Sequence, residues 1–229
     1  MDRVERTSRG AAASGSAPAG AAQLRLFEPA QPAQPAQPAI DRSFATAVRV
    51  QLDATSWLDC VPRWLSRSDL LLDELLGVPR WEQRDRWMFE QRVQEPRLTA
   101  EYPDLAQAPI RLLGELAAAL STHYGVRYDG LWINQYRDHR DSTSWHGDGA
   151  SCRRRECIVP VLSLGAKRRF LIRRRAGGRS HVFQPEAGDL IVMGGRCQRD
   201  WRHCVPKQST VVGVRVSVNF TSTWQAMPA

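Results

Sequence analysis

From Gly130 onward the sequence reads as strand after strand with no helix between them. Leu131 to Tyr136, Ile158 to Leu164, Phe170 to Ile172, His181 to Phe183, Asp189 to Met193 and Val211 to Phe220 are short apolar runs parted by Gly, Pro or charged turns. Strands without intervening helices argue for an antiparallel sandwich and against a doubly wound parallel sheet. A mostly β jelly roll is the natural architecture.

The last run constrains most. Val212, Val214, Val216, Val218 and Phe220 alternate onto one face, and Gly213, Arg215, Ser217, Asn219 and Thr221 onto the other. The second face cannot pack as an apolar core. If it looks into the roll, Arg215 is a buried cation in need of an anion. A dicarboxylic ligand would supply one through a charge-assisted bidentate pair. A structural ion pair with Asp189 or Glu186 is the alternative.

The N-terminal half has a different texture. Residues 1–42 are rich in Ala, Gly, Pro, Ser and Gln, with a Gln-Pro-Ala triplet repeated from Gln31 to Ala39. That composition buries too little apolar surface to offset ordering entropy, so a disordered tail is expected. Residues 43–125 form the next segment. Ala47 to Leu52 alternates like a strand. A short helix is expected from Ser68, a plausible cap, to Leu76, with Gly77 just past it. A second is expected from Pro109, with Ile110, Leu113, Leu116, Ala117 and Leu120 on one face and Gly125 as the stop. Both helices are expected to brace the sheet carried by residues 126–225.

At 229 residues the chain suits one good-sized domain. No apolar run approaches the roughly 18 residues of a membrane span, and no secretory signal is seen. Five cysteines (60, 152, 157, 197 and 204) form no tight framework, which fits a reducing cytoplasm. The net charge is +8, yet residues 153–179 hold ten Lys/Arg against one acid, Glu156, so the rest of the chain is near neutral. A solvated basic face is the bland reading; beside an active site, such a patch favours a polyanionic partner.

The stretch from Asn134 to Asp148 ends in His146-Gly147-Asp148. Side chains two apart on an extended segment share a side, so His146 and Asp148 can reach one point. His203 is a third candidate ligand. Two His and one carboxylate leave metal positions open, as suits non-haem Fe(II). His-x-Asp pairs also arise by chance on surfaces. A zinc site from Cys197, His203 and Cys204 with Cys152 or Cys157 is the competing metal reading, but His203-Cys204 are adjacent and paired C-x2-C knuckles are lacking.

Several pieces in order resemble the AlkB-type Fe(II)/2-oxoglutarate dioxygenases, which remove alkyl groups from nucleic acid bases by oxidation. They are Pro96-Arg97-Leu98-Thr99-Ala100, Asn134-Gln135-Tyr136-Arg137-Asp138, Trp145-His146-Gly147-Asp148, Ser163 to Phe170, Gly188 to Met193, His203 to Lys207 and Arg215-Val216-Ser217. The resemblance implies a double-stranded β-helix with His146, Asp148 and His203 on Fe(II). It implies Asn134, Tyr136, Arg215, Ser217 and Asn219 around 2-oxoglutarate, with O2 as co-reactant. The implied reaction demethylates bases in DNA, or RNA, releasing formaldehyde, succinate and CO2. Phe89, Arg97, Tyr102, Arg168, Arg169 and Arg173 are the candidate substrate residues. Phe89 stands where an apolar wedge could fill the gap left by a flipped base, and core packing is its alternative.

The chain departs from that pattern in two places. Thr221 replaces a second Arg six residues after Arg215, and Gly149-Ala150-Ser151 follow the His-x-Asp where acids are usual. These departures motivate a second hypothesis, a lesion-binding protein of the same fold with weak or silent turnover. An oxygenase of non-nucleic-acid substrates is a third. A monomer acting on DNA, away from membranes, is expected.

Overall fold

The computed structural model describes residues 36–77, 80–88, 90–148 and 155–222. Residues 1–35, which hold most of the expected tail, lie outside them, as does Phe89. Pairing begins before the expected boundary at residue 43. Strand β1 (Ala39–Ile40) lies antiparallel to β4 (Leu65–Ser66).

The remaining elements follow in order: β2 (Val48–Gln51), β3 (Ser56–Val61), helix α1 (Ser68–Gly77), the hairpin β5 (Asp85–Met88) and β6 (Gln91–Gln94), β7 (Leu98–Tyr102) and helix α2 (Arg111–Tyr124). Then come β8 (Gly130–Tyr136), β9 (Val159–Gly165), β10 (Phe170–Arg174), β11 (His181–Phe183), β12 (Leu190–Gly195), the single turn α3 (Cys197–Asp200), β13 (Trp201–Cys204) and β14 (Arg215–Thr221).

Seven strands make the major sheet in the order β2-β3-β12-β9-β14-β8-β7, every neighbour antiparallel. A minor sheet, β11-β10-β13, is also antiparallel. Strands from 43–125 and from 126–225 hydrogen-bond within the major sheet, so the two segments share one unit. The mostly β jelly roll with flanking helices holds.

Each face of the major sheet has its own core. On one side Val216, Val218 and Phe220 of β14 meet α1 and α2 through Leu71, Leu75, Leu113, Leu116 and Leu120, each at most 1% exposed. The i, i+3, i+7 spacing of the α2 leucines aims all three at the sheet. Gly125 ends α2 at φ 64°, a left-handed conformation that glycine adopts without strain. On the other side Leu58, Val159, Val161, Ile191 and Met193 meet Phe170, Ile172 and Trp201 of the minor sheet.

Several boundaries move. α2 begins at Arg111, two residues after Pro109, and α1 includes both Ser68 and Gly77. The last strand begins at Arg215, not Val211, whose side chain is exposed. Several elements without clean alternation went unforeseen as strands: β1, β3, β4, β7, β13 and the β5–β6 hairpin. Cys157 is disulfide-bonded, while Cys60, Cys197 and Cys204 are free thiols. Cys152 lies outside the described residues.

Candidate metal and cosubstrate site

The site sits at one mouth of the roll, between β8, β14 and the minor sheet. The loop carrying His146 and Asp148 leaves β8 and is fastened at several points. Arg137 clasps Asp141 with two hydrogen bonds of 2.8 and 2.9 Å, Ser142 N–H donates to the Pro96 carbonyl, and Thr143 exchanges hydrogen bonds with Val205. A two-residue bridge then joins the loop to β13. His146 N–H donates to the His203 carbonyl at 3.0 Å, and His203 N–H to the His146 carbonyl at 2.8 Å. This antiparallel bridge sets both imidazoles side by side, 4.3 Å between centroids.

Asp148 completes the set. Its carboxylate oxygens lie 3.6 Å from His146 Nε2 and 3.5 Å from His203 Nε2. Ligands about 2.1 Å from one ion and at right angles stand about 3 Å apart, so these atoms are close to a facial arrangement. His146 Nδ1 lies 2.7 Å from the Ser144 carbonyl, which can only accept. Nδ1 is therefore protonated, and Nε2 presents its lone pair. Burial, with His146 adding to it and Asp148 opposing, brings the His203 imidazole down to about 4, which keeps it neutral for ligation. Asp148 N–H donates to Gln198 Oε1 at 2.8 Å, and a Cβ at Gly147 would meet the Gln198 carbonyl at 2.9 Å. Only glycine lets the loop lie this close. Among the described residues this is the only group of three or more His, Cys, Asp or Glu placed to hold a metal; Cys197 and Cys204 do not join it.

The same pocket holds a buried cation. Arg215 is 2% exposed, and its Nη2 donates to Ser163 Oγ at 2.9 Å. Its Nε and Nη1 are buried with no partner among the described residues. Asp189 and Glu186 are not its counter-ions. Asp189 accepts from the Arg63 and Glu186 amides, and Glu186 pairs with Lys167 at 2.7 Å. Burial lowers the pKa of Arg215, with Arg168 adding to the fall and Tyr136 opposing it. Two orphaned donors on a buried cation are what a carboxylate would satisfy.

Asn134 stands beside it. Arg97 Nε and Thr99 Oγ1 both donate to Asn134 Oδ1, at 3.0 and 3.2 Å. That fixes the carboxamide with its NH2 left to donate. Tyr136 lines the pocket, with the Arg168 and Arg215 guanidinium carbons 5.7 and 5.1 Å from its ring centre. Ser217 and Asn219 also line it, but the Asn219 amide nitrogen is spent on the Trp132 and Ser217 carbonyls. Sequence reading gave no role to Ser163, Thr99, Gln198 or Trp132. The first two lie on the site face of β9 and β7, opposite Ser217 and Asn134 in register, and only sheet pairing reveals that.

The expected substrate residues scatter. Arg168 is 1% exposed and donates to the carbonyls of Asp138, Asp141 and Pro206 at 2.7 to 2.8 Å, so it ties loops together and is shut off from a polymer. Tyr102 lies on the helix side of the sheet against the first core, so it is no stacking surface for the pocket. Arg97 is buried against Glu95 at 2.9 Å and lines the pocket wall. Arg169 is exposed. Arg173 lies 4.1 Å over the Trp145 ring. A second cavity of about 410 Å³ shares Arg97 and Thr143 with the metal pocket and is walled by Pro96, Trp145 and Lys207.

Residues 71–220 match the model of the 2OG-Fe(II) oxygenase superfamily. The chain belongs to that superfamily. Iron, 2-oxoglutarate and O2 are its reactants, and the His146–Asp148–His203 set fits the iron. This oxygenase is 29% identical over 180 residues to human "Alpha-ketoglutarate-dependent dioxygenase alkB homolog 3", covering 70% of this chain and 63% of that protein. It is 26% identical over 119 residues to Arabidopsis thaliana "DNA oxidative demethylase ALKBH2", covering 42% of this chain and 38% of that one. The chain thus spans somewhat under two thirds of the first of these relatives and well under half of the second. In fold it is similar to a 2OG-Fe(II) oxygenase family oxidoreductase from Burkholderia pseudomallei (TM-score 0.51, 22% identity, covering 72% of this chain and 84% of that one). It is likewise similar to OsALKBH1 (TM-score 0.50, 13% identity, covering 76% and 100%).

Proposed function

We propose that this oxygenase demethylates alkylated bases in nucleic acid, DNA foremost, by oxidation that ends in formaldehyde, succinate and CO2. The observation that carries the reading is the meeting, in one pocket, of a facial His146–Asp148–His203 set and a buried Arg215 with two unpaired donors. Iron with 2-oxoglutarate and O2 supplies the oxidation. The protein's own residues bind and orient. Arg215 and the Asn134 NH2 take the cosubstrate's carboxylates, Ser163 holds the guanidinium in place, and Val161, Phe170 and Val205 exclude water from the pocket. The 410 Å³ cavity, sharing Arg97 and Thr143 with the metal pocket, receives the base next to the metal. The relatives' names and the basic segment support a nucleic acid substrate.

The test is purified protein with Fe(II), 2-oxoglutarate and a methylated oligonucleotide, followed by mass spectrometry. Loss of one methylene equivalent, abolished by Asp148→Ala, is expected. Lesion binding and succinate formation with no mass change would instead favour a silent lesion-binding protein.

A further inference from the structure

The pocket contains a polar group that neither the metal triad nor the arginine wall uses. Trp132 lies on β8 directly opposite Asn219 of β14, on the face that carries Asn134, Tyr136, Arg215 and Ser217. It lines the same pocket. Its indole N–H is sealed from solvent and has no hydrogen-bond partner among the described residues. Native structures seldom bury a donor this way, and where they do a bound molecule is one explanation.

The pocket's other donors sharpen the point. The amide nitrogen of Asn219 is occupied by the Trp132 and Ser217 carbonyls. Thr221, at the end of β14, has a hydroxyl packed so close to Gly130 that a Cβ there would lie 2.8 Å from it. Among the described residues that line the pocket, Arg97 is the one other cation, and it is held by Glu95 and Asn134. Among the described residues, the buried donors on that face without a partner are Arg215 Nε and Nη1 and the Trp132 N–H.

We propose that Trp132 is a cosubstrate-binding residue whose indole N–H donates to a carboxylate oxygen of 2-oxoglutarate. The inference rests on the reading of this pocket as the 2-oxoglutarate site. Indole is donor-only and uncharged, so it suits an anion and repels no neighbouring guanidinium. A bulky side chain on β8 thereby supplies the contact that a short Thr221 on β14 does not reach.

The test uses the full chain loaded with Mn(II), which binds without turnover, titrated calorimetrically with 2-oxoglutarate. Trp132→Phe keeps the aromatic ring and deletes the donor. It should weaken 2-oxoglutarate binding about 10-fold, the usual worth of a hydrogen bond to a charged group, with Mn(II) affinity unchanged. Wild-type protein labelled with 15N-tryptophan and loaded with Zn(II) gives an independent readout if the variant folds poorly. Adding 2-oxoglutarate should move the Trp132 indole proton downfield and slow its exchange, while those of Trp64 and Trp81, buried without partners elsewhere, stay put. An unmoved Trp132 resonance, or unchanged affinity in a folded Trp132→Phe, overturns the assignment and leaves the pocket reading intact. Wild-type protein with no saturable 2-oxoglutarate binding overturns both.

Discussion

At the scale of single residues, one strand end decides the chemistry. Arg215 is a cation wholly inside the roll; its Nη2 donates to Ser163, and its Nε and Nη1 have no partner among the described residues. Taking a guanidinium out of water is costly unless its donors are met, and an incoming acid would meet them. Arg215→Ala should weaken 2-oxoglutarate binding about 100-fold, as expected for losing one partner of a desolvated charge pair. Metal affinity should hold, because the His146, Asp148 and His203 atoms do not touch this arginine. Titration of the variant with Mn(II) and then 2-oxoglutarate checks both; undiminished 2-oxoglutarate affinity would make Arg215 purely structural.

At the scale of elements, the minor sheet must be held in place for His203 to face His146. Asp53, just after β2, does part of this. It accepts from Trp201 Nε1 at 2.9 Å on β13 and pairs with Arg174 at 3.1 Å on β10. Burial pushes its carboxyl up, but the Thr55 amide, the Trp201 indole, the Thr55 hydroxyl and Arg174 outweigh that and bring it to about 2. The folded pKa lies below the unfolded value of about 3.9, so the stabilisation is present above that pH and fades as pH falls through about 2. Allowing for solvent screening at the half-exposed Arg174, its size is about 1–2 kcal/mol. Asp53→Asn should lose that much in urea unfolding at pH 7 and show a flatter stability profile between pH 4 and 2. An unchanged profile would mean the contact is electrostatically idle.

At the scale of the whole molecule, the basic segment divides into structural and free charges. Arg168 is walled in, Arg174 is held by Asp53, and Arg173 covers Trp145; Arg169 and Arg175 remain exposed. If the segment meets a polynucleotide, log affinity should fall with log salt at a slope of about −3, roughly −0.9 per phosphate contact. Arg169→Ala and Arg175→Ala should each flatten the slope by about 1, measured by fluorescence anisotropy across salt. Arg168→Ala should act differently, costing about 3 kcal/mol of stability by stranding the Asp138, Asp141 and Pro206 carbonyls. Equal slopes in the wild type and the exposed-arginine variants would place the polymer elsewhere.

Local pattern was enough for much of this protein. Period-2 alternation from Gly130 onward gave the antiparallel roll, the spacing of the α2 leucines gave its buried face, and His-x-Asp brought two side chains to one point, because each depends only on backbone geometry over a few residues. Alternation also put Arg215 on the polar face, and the closed roll turns that face inward. What the sequence could not say was who lies across from whom. The 57-residue gap to His203 is closed by a two-residue bridge to His146. Ser163 and Thr99 reach the site by pairing with β14 and β8. Arg168 and Arg169, adjacent and chemically alike, point to opposite environments, one buried and one exposed. Tyr102 falls on the helix side by register alone. These outcomes follow from long-range hydrogen-bond register, in which a one-residue slip moves every side chain to the other face, and that register is settled only when the sheets close around their cores.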